Sequence, residues 1–332
     1  MKTYIPYSLL LAAASCGLAH GAATAYTTPV GYVSLGNNGG VPAHTDMTLA
    51  IPLERSSEWA GTVASVSGNV ITLTGTPGFT TNQWANATTP FVAKLGSGTK
   101  SGQISLITAN AAGTLTVAFQ NTDTLTGVVA GDTISIRKAW TIGNFFAGNT
   151  LPDNIEFSLF DITAGTDNAP TSVYYYFAGT WYDASDDSVA TSVVLYPNEG
   201  FRLRNTTNGA ISNLVVSGEV PTANSRIFIK GAAGSQDTRF SFFSSVDEPI
   251  ATSGLGVADN DLLLSYSLTA TGIDNAPGAV YYKFGPSWYD ASDDSDVTAT
   301  LKLKAGVGYV YRAAAATPTT TSSNTPDYVP SL

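Results

Sequence analysis

The sequence predicts an all-β protein made by tandem duplication, and three observations carry that expectation. Residues 167–188, DNAPTSVYYYFAGTWYDASDDS, return at 274–295 as DNAPGAVYYKFGPSWYDASDDS, with 16 of 22 positions identical at an offset of 107. Apolar residues alternate in short runs punctuated by Gly, Pro and Asn, and no long stretch keeps a helical period. Charged residues make up 12% of the 332, about half the usual share for a globular protein. The expected architecture is a β-sandwich or barrel lobe present twice, with a small β-barrel inserted in the first copy. The divisions are 1–21 (signal peptide), 26–60 with 138–219 (first lobe), 61–137 (inserted barrel), 220–312 (second lobe) and 313–332 (tail).

The elements follow in order. Lys2 precedes an apolar run at 7–18 that is too short to span a bilayer, and Ala19-His20-Gly21 is a small-x-small cleavage site. This predicts export, with cleavage after Gly21 or after Ala25. Cys16, in Ala-Ala-Ser-Cys-Gly, loosely resembles a lipidation box, with Ala where a larger aliphatic is usual. No later apolar run is long enough for a transmembrane helix. Two strand-like runs, 31–35 and 47–53, flank the turn-rich GNNGGVPAHTD. The insertion then opens with two alternating runs around Ser67-Gly68-Asn69, a hairpin signal. Runs at 91–95, 102–108, 114–119 and 133–137 bring the total to about six short strands and no helix, the pattern of a small barrel. The second half lacks this segment: 225–254 parallels 30–58 and passes directly to Ala258-Asp259-Asn260. The insertion's ends, near Trp59 and Trp140, are therefore expected to be adjacent and the barrel separable from its host.

The duplicated unit starts at the turns Asn168-Ala169-Pro170 and Asn275-Ala276-Pro277. Its strand alternates, with Val173, Tyr175 and Phe177 on one face and Tyr174 and Tyr176 on the other. The second copy has Val280, Tyr282 and Phe284 against Tyr281 and Lys283. The exchange of Tyr176 for Lys283 needs water nearby, which assigns the Val/Tyr/Phe face to the core. Trp181-Tyr182-Asp183 or Trp288-Tyr289-Asp290 follows a short turn, then the polar loop ASDDS. Runs 193–196 and 201–204 read as a hairpin whose Gly200 takes a positive φ, answered by 301–304 and 309–312. The Ala/Thr/Ser/Pro-rich tail is expected to be poorly ordered.

Several of these pieces resemble a known family. TTPVGYVSL at 27–35, GTVASVSGNVITLTG at 61–75, AGDTISIRKAWTIGNFF at 130–146 and YPNEGFRLRN at 196–205 are similar, in this order, to secreted and mostly uncharacterised all-β proteins of verrucomicrobial bacteria. The resemblance covers most of the chain and implies export in a diderm bacterium, to the periplasm, cell surface or medium. Its motifs are strands and turns, so it implies no activity and no functional residues.

Composition excludes several function classes. With 25 acidic against 15 basic residues, a net charge of −10 and no Lys/Arg run, the chain repels phosphate backbones, so no nucleic-acid partner is expected, and it has no electrostatic pull toward anionic lipid. Beyond residue 21 there is no cysteine and one histidine, His44. This removes disulfides, cysteine nucleophiles, thiolate zinc sites and multi-histidine metal sites. A Ser-His-Asp triad would have to use His44, which lies in a turn-rich loop with no GxSxG. No phosphate-binding glycine loop is present.

Three candidate sites remain. Asp183, Ser185 and Asp187, with Asp290, Ser292 and Asp294, place oxygens at positions 1, 3 and 5 of a calcium loop. They are not EF-hands, because Ser188 and Ser295 stand at position 6 and Val194 and Leu301 at position 12. The competing reading is a solvated acidic loop. Tyr174, Trp181 and Tyr182, with Tyr281, Trp288 and Tyr289, offer rings for stacking on sugars, against the plainer reading that the Trp residues pack in the core. Paired carboxylates for glycoside hydrolysis would come from six scattered glutamates, Glu54, Glu58, Glu156, Glu199, Glu219 and Glu248, and the second copy has Val307 in place of Glu199. The expectation is a non-catalytic secreted or cell-surface protein with a structural or adhesive role and no cofactor other than calcium. A carbohydrate-binding module is the alternative and a glycoside hydrolase the distant one. The expected partners are extracellular polysaccharide or other surface proteins.

Overall fold

The computed structural model describes residues 29–120, 123–161, 165–229, 236–255, 258–314 and 320–324. The export segment with Cys16 therefore lies outside the described residues. Nearly all regular structure is β.

The first lobe opens with β1 (Val30–Ser34) and β2 (Thr45–Leu49). The chain then leaves for the barrel: β3 (Ser57–Ser67), β4 (Val70–Leu73), β5 (Phe91–Leu95), β6 (Ile104–Ala111), β7 (Thr114–Ala118) and β8 (Thr133–Lys138). It returns through β9 (Trp140–Thr141), the one-turn α1 (Ile142–Phe145), β10 (Glu156–Leu159), β11 (Ser172–Phe177), β12 (Thr180–Asp183), β13 (Val194–Leu195), β14 (Phe201–Asn205) and β15 (Val215–Glu219). The second lobe comprises β16 (Ser225–Ile229), β17 (Gln236–Phe240), β18 (Glu248–Pro249), a 3-10 turn (Ile250–Thr252), β19 (Leu262–Ser265), β20 (Ala279–Phe284), β21 (Ser287–Asp290), β22 (Lys302–Leu303), β23 (Tyr309–Ala313) and β24 (Thr320–Asn324).

The two lobes share one topology. The first is a five-stranded sheet in the order β12-β11-β10-β14-β2, and the second repeats it as β21-β20-β19-β23-β17. The short pairs β1-β15 and β9-β13 in the first lobe answer β16-β24 and β18-β22 in the second. Rings fill the first core: Phe157 lies 4.7 Å from Phe201, Phe145 lies 5.2 Å from Phe201, and Phe146 lies 5.4 Å from Trp181. The six inserted strands close into an antiparallel barrel, β3-β4-β7-β6-β5-β8. Its ends are neighbours, because Ser57 pairs with Arg137. A chain of edge-to-face rings, Trp59, Phe79, Trp84 and Phe91, runs through it at 5.1–5.4 Å spacings.

Some local expectations are corrected. Runs 193–196 and 201–204 do not pair with each other. Instead β13 pairs with β9, and β14 lies between β10 and β2. Gly200 is not in the positive-φ region. It is glycine because a Cβ there would meet Gly308 Cα at 3.3 Å and Phe240 O at 3.1 Å. The regular structure described in the inserted segment is all strand, and the one-turn α1 follows it, where Thr141 and Asn144 form a capping box, with Asn in place of the usual Glu or Gln. Residues 320–324 of the tail are ordered as β24 against β16.

The lobes meet through contacts that occur twice, as across a two-fold axis. Asp46 N donates to Gly272 O (3.0 Å), and its counterpart Asp237 N donates to Gly165 O (2.8 Å). Leu49 bridges to Val307, and Phe240 bridges to Glu199. Arg204 grips Asp46 through Nε (2.7 Å) and Nη2 (2.8 Å) and also donates to Asp274 of the other lobe. Arg312 grips Asp237 likewise (2.7 and 2.9 Å) and reaches Asp167 of the first lobe at 2.6 Å. Gly200 and Gly308, equivalent positions, touch each other.

The barrel is not a detached appendage, contrary to the expectation of easy removal. The side chain of Lys94 pairs with buried Glu54, and Arg137 joins Glu54 (3.0 Å) to Glu219 (2.6 Å). Gln120 donates to Glu199 at 2.6 Å. Arg226, from the second lobe, donates to Thr99 O at 3.1 Å and lies 3.6 Å from Asp123. Ile104 of the barrel packs on the first lobe's core, and so does Phe243 of the second. Deleting the barrel would strip buried charges of their partners, which costs several kcal/mol per ion.

Two predictions follow from these interfaces. Arg204→Ala removes the bidentate partner of Asp46, whose side chain is only 10% exposed, and leaves it Arg202 at 3.7 Å and the Asp274 N–H, so a loss of about 2–4 kcal/mol is expected. Asp274→Ala removes a partner that is 68% exposed and should cost less than about 1 kcal/mol. Urea denaturation of both variants checks the order. The second prediction concerns pH. Burial pushes the Glu199 carboxyl up to about 7, against the opposing hydrogen bond from Gln120. The folded state therefore holds this proton above the ordinary carboxylate range, and stability falls as pH rises from about 4.5 to 7. Glu199→Gln removes that slope and is expected to gain on the order of 2 kcal/mol over wild type at pH 8. Melting curves across pH 4–8 test it.

Candidate functional site: two aromatic ledges

The hairpin turns set the register of both ledges. Ala178 (φ 48°) and Gly179 (φ 87°) make a two-residue turn with both φ values positive, and Gly285 (φ 55°) followed by Pro286 makes one with the first positive. These turns put Tyr175 opposite Tyr182 and Tyr282 opposite Tyr289. The rings stack at 5.5 Å and 23° in the first lobe and at 5.3 Å and 20° in the second. Phe177 and Phe284, two residues along the same face, are 50% and 59% exposed. Tyr175 Oη donates to Asp187 Oδ1 (2.8 Å), and Tyr282 Oη donates to Asp294 Oδ1 (3.0 Å). The hydrogen bond to Asp187 is the main cause raising the Tyr175 pKa; for Tyr282 it is desolvation, then the bond to Asp294.

In the first lobe the ledge continues across the whole sheet as one row, Tyr182, Tyr175, Glu156, Arg204 and Asp46. The second lobe has Tyr289, Tyr282, Leu262, Arg312 and Asp237. Leu262 interrupts the charge that Glu156 supplies in the first.

This geometry reverses the expected faces of the repeated strand. Trp181 and Trp288 are 2% exposed and Tyr174 is 6% exposed, all facing the cores. Tyr281 is half-buried against the second core. None of these four presents a free ring on the ledge, and of the six expected sugar-stacking residues only Tyr182 and Tyr289 belong to it. The Tyr176/Lys283 exchange misled because that position lies at the strand's end beside Trp181. A lysine stem can cover apolar surface there while its head reaches outward, and Lys283 Nζ does so by meeting Gly285 O. Tyr175, Phe177, Tyr282 and Phe284 are the residues missed. Their signal was the same alternation, with the faces assigned the other way.

The acidic loops close on themselves. Asp183 Oδ1 accepts from Ser185 N (2.9 Å) and Oγ (2.7 Å), and Asp290 Oδ1 accepts from Ser292 N (2.8 Å) and Oγ (2.6 Å). Asp187 and Asp294 adopt positive φ and hold the tyrosine hydroxyls. Among the described residues no three His, Cys, Asp or Glu side chains gather as a metal site. The hydrogen bonds of the loop oxygens shape the turn and position the ledge. His44 Nε2 lies 2.9 Å from Asn208 Oδ1 in an exposed loop. Glu54 and Glu219 pair through their backbones, and their carboxylates share Arg137.

Trp181→Ala is expected to cost about 3–5 kcal/mol, as for a buried ring, whereas Tyr175→Phe loses one hydrogen bond and about 1 kcal/mol. Chemical denaturation distinguishes them. No family model, curated protein or solved structure matches this chain.

Proposed function

We propose that the chain is a non-catalytic, exported β protein with an adhesive role, and that polysaccharide is the material to which it adheres. The observation that carries this reading is the paired ledge: two stacked tyrosines, an exposed phenylalanine and an aspartate, built identically in both lobes. Flat rings on a rigid sheet match the apolar faces of sugars, and an aspartate beside them accepts hydroxyl hydrogen bonds. Repetition adds avidity, because a long polymer engages both sites at little further entropic cost. Export is supported by the apolar segment and small-x-small site within residues 1–21 and by the resemblance to secreted proteins.

Binding to a glycan array and co-sedimentation with insoluble cellulose and chitin test the reading. Replacing Tyr175, Tyr182, Tyr282 and Tyr289 together by Ala is expected to weaken binding by at least about tenfold while the melting transition stays cooperative. Binding unchanged in that variant would sink the proposal.

A further inference from the structure

The second lobe carries an open cleft of about 460 Å3 that the ledges do not use. Tyr281, Tyr309, Leu268 and Val307 form its apolar lining, and Lys302 and Lys304 stand on it as well. The two lysines flank Leu303, which is 1% exposed, so strand alternation sends both to the side away from the core. Both are exposed. Eight other Lys or Arg side chains among the described residues are held in ion pairs within 4 Å; Lys302 and Lys304 are not. The nearby carboxylates are already engaged: Asp290 by Ser292 N and Oγ, and Asp247 by Ala305 N at 3.1 Å.

The first lobe shows what is particular about this place. Its counterparts of Lys302 and Lys304 are Val194 and Tyr196, and its counterpart of Val307 is Glu199, which Gln120 of the barrel covers. Tyr174, the counterpart of Tyr281, is buried. The second lobe carries no barrel, and the same region is open and doubly cationic in a protein of net charge −10.

We propose that this cleft binds an anionic sugar chain, with the acid group between Lys302 and Lys304 and an apolar sugar face against Tyr281 and Leu268. Ammonium groups act as point charges and do not separate a carboxylate from a sulfate, so the shared chemistry is a sugar carrying either acid. Both classes satisfy the cleft's combination of cations and rings, and a neutral sugar satisfies only the rings. The inference does not depend on the ledges.

Calorimetric titration of the full chain decides it, using hexagalacturonate, a sulfated oligosaccharide and a neutral oligosaccharide of the same length. One or both anionic ligands should bind, more weakly as salt rises, and the neutral one should not bind once the four ledge tyrosines are replaced by Ala. Lys302→Glu with Lys304→Glu should lower that affinity at least about tenfold, and Lys302→Ala with Lys304→Ala should lower it in the same direction. All four substitutions lie at exposed positions, and melting curves confirm the fold. The tyrosine ledge variant should bind the anionic ligand normally. Binding of a uronate alone assigns the carboxylate, and binding of both ligands assigns either acid. In the ledge variant, equal binding of the neutral sugar or no binding by any ligand overturns the proposal, as does an anionic affinity unchanged by charge reversal.

Discussion

The structure depends on an exchange of charge between its two halves. Arg204 and Arg312 each hold an aspartate on the neighbouring strand and another from the opposite lobe. A guanidinium satisfies two carboxylates at fixed angles, so the grip sets orientation as well as proximity. Around it, Leu49 with Val307 and Phe240 with Glu199 supply backbone pairing that each contact strand lacks within its own lobe. A sheet edge left unpaired invites association with other chains. Here each lobe covers the other's edge, and the glycine pair Gly200 and Gly308 lets the backbones approach closely enough to do so.

The barrel breaks this symmetry and is itself held by it. Its base carries Lys94 and Arg137 into a buried cluster with Glu54 and Glu219, while Arg226 reaches it from the second lobe. Burial lowers the Lys94 pKa, with Glu54 as the main counterweight. Charges this deep favour one docking geometry, because any displacement leaves an ion without its partner. The inserted segment is thus a wedge that reads both lobes at once. The region it covers in the first lobe stays open in the second, so two nearly identical lobes present different surfaces.

Much of this was legible in the sequence, for reasons specific to each part. The duplication, the β class and the six barrel strands were readable because alternation and turn residues are local signals, as the Ser67-Gly68-Asn69 hairpin shows. The face of β11 was not. Alternation defines two faces without saying which is inside, and the clue taken from Tyr176 and Lys283 came from a strand end where a lysine can extend past the core. The pairing of β13 with β9 was also hidden, because those partners lie more than fifty residues apart and each strand is two residues long. The Arg-Asp exchange left no mark at all, since Asp167 and Asp274 are 81% and 68% exposed and read as ordinary turn residues.

The shared edge has a consequence for how the chain is made. The first lobe's contact strand, β2, is completed by Gly272, Asp274 and Val307, which leave the ribosome more than two hundred residues after it. Until the second half emerges, the first half has a bare backbone rim and a core that still lacks the ring of Phe243. The second half has its partner waiting and closes on it as soon as it is synthesised. Assembly is therefore ordered from N- to C-terminus, and the interval between the two halves is when one nascent chain is most exposed to pairing with another.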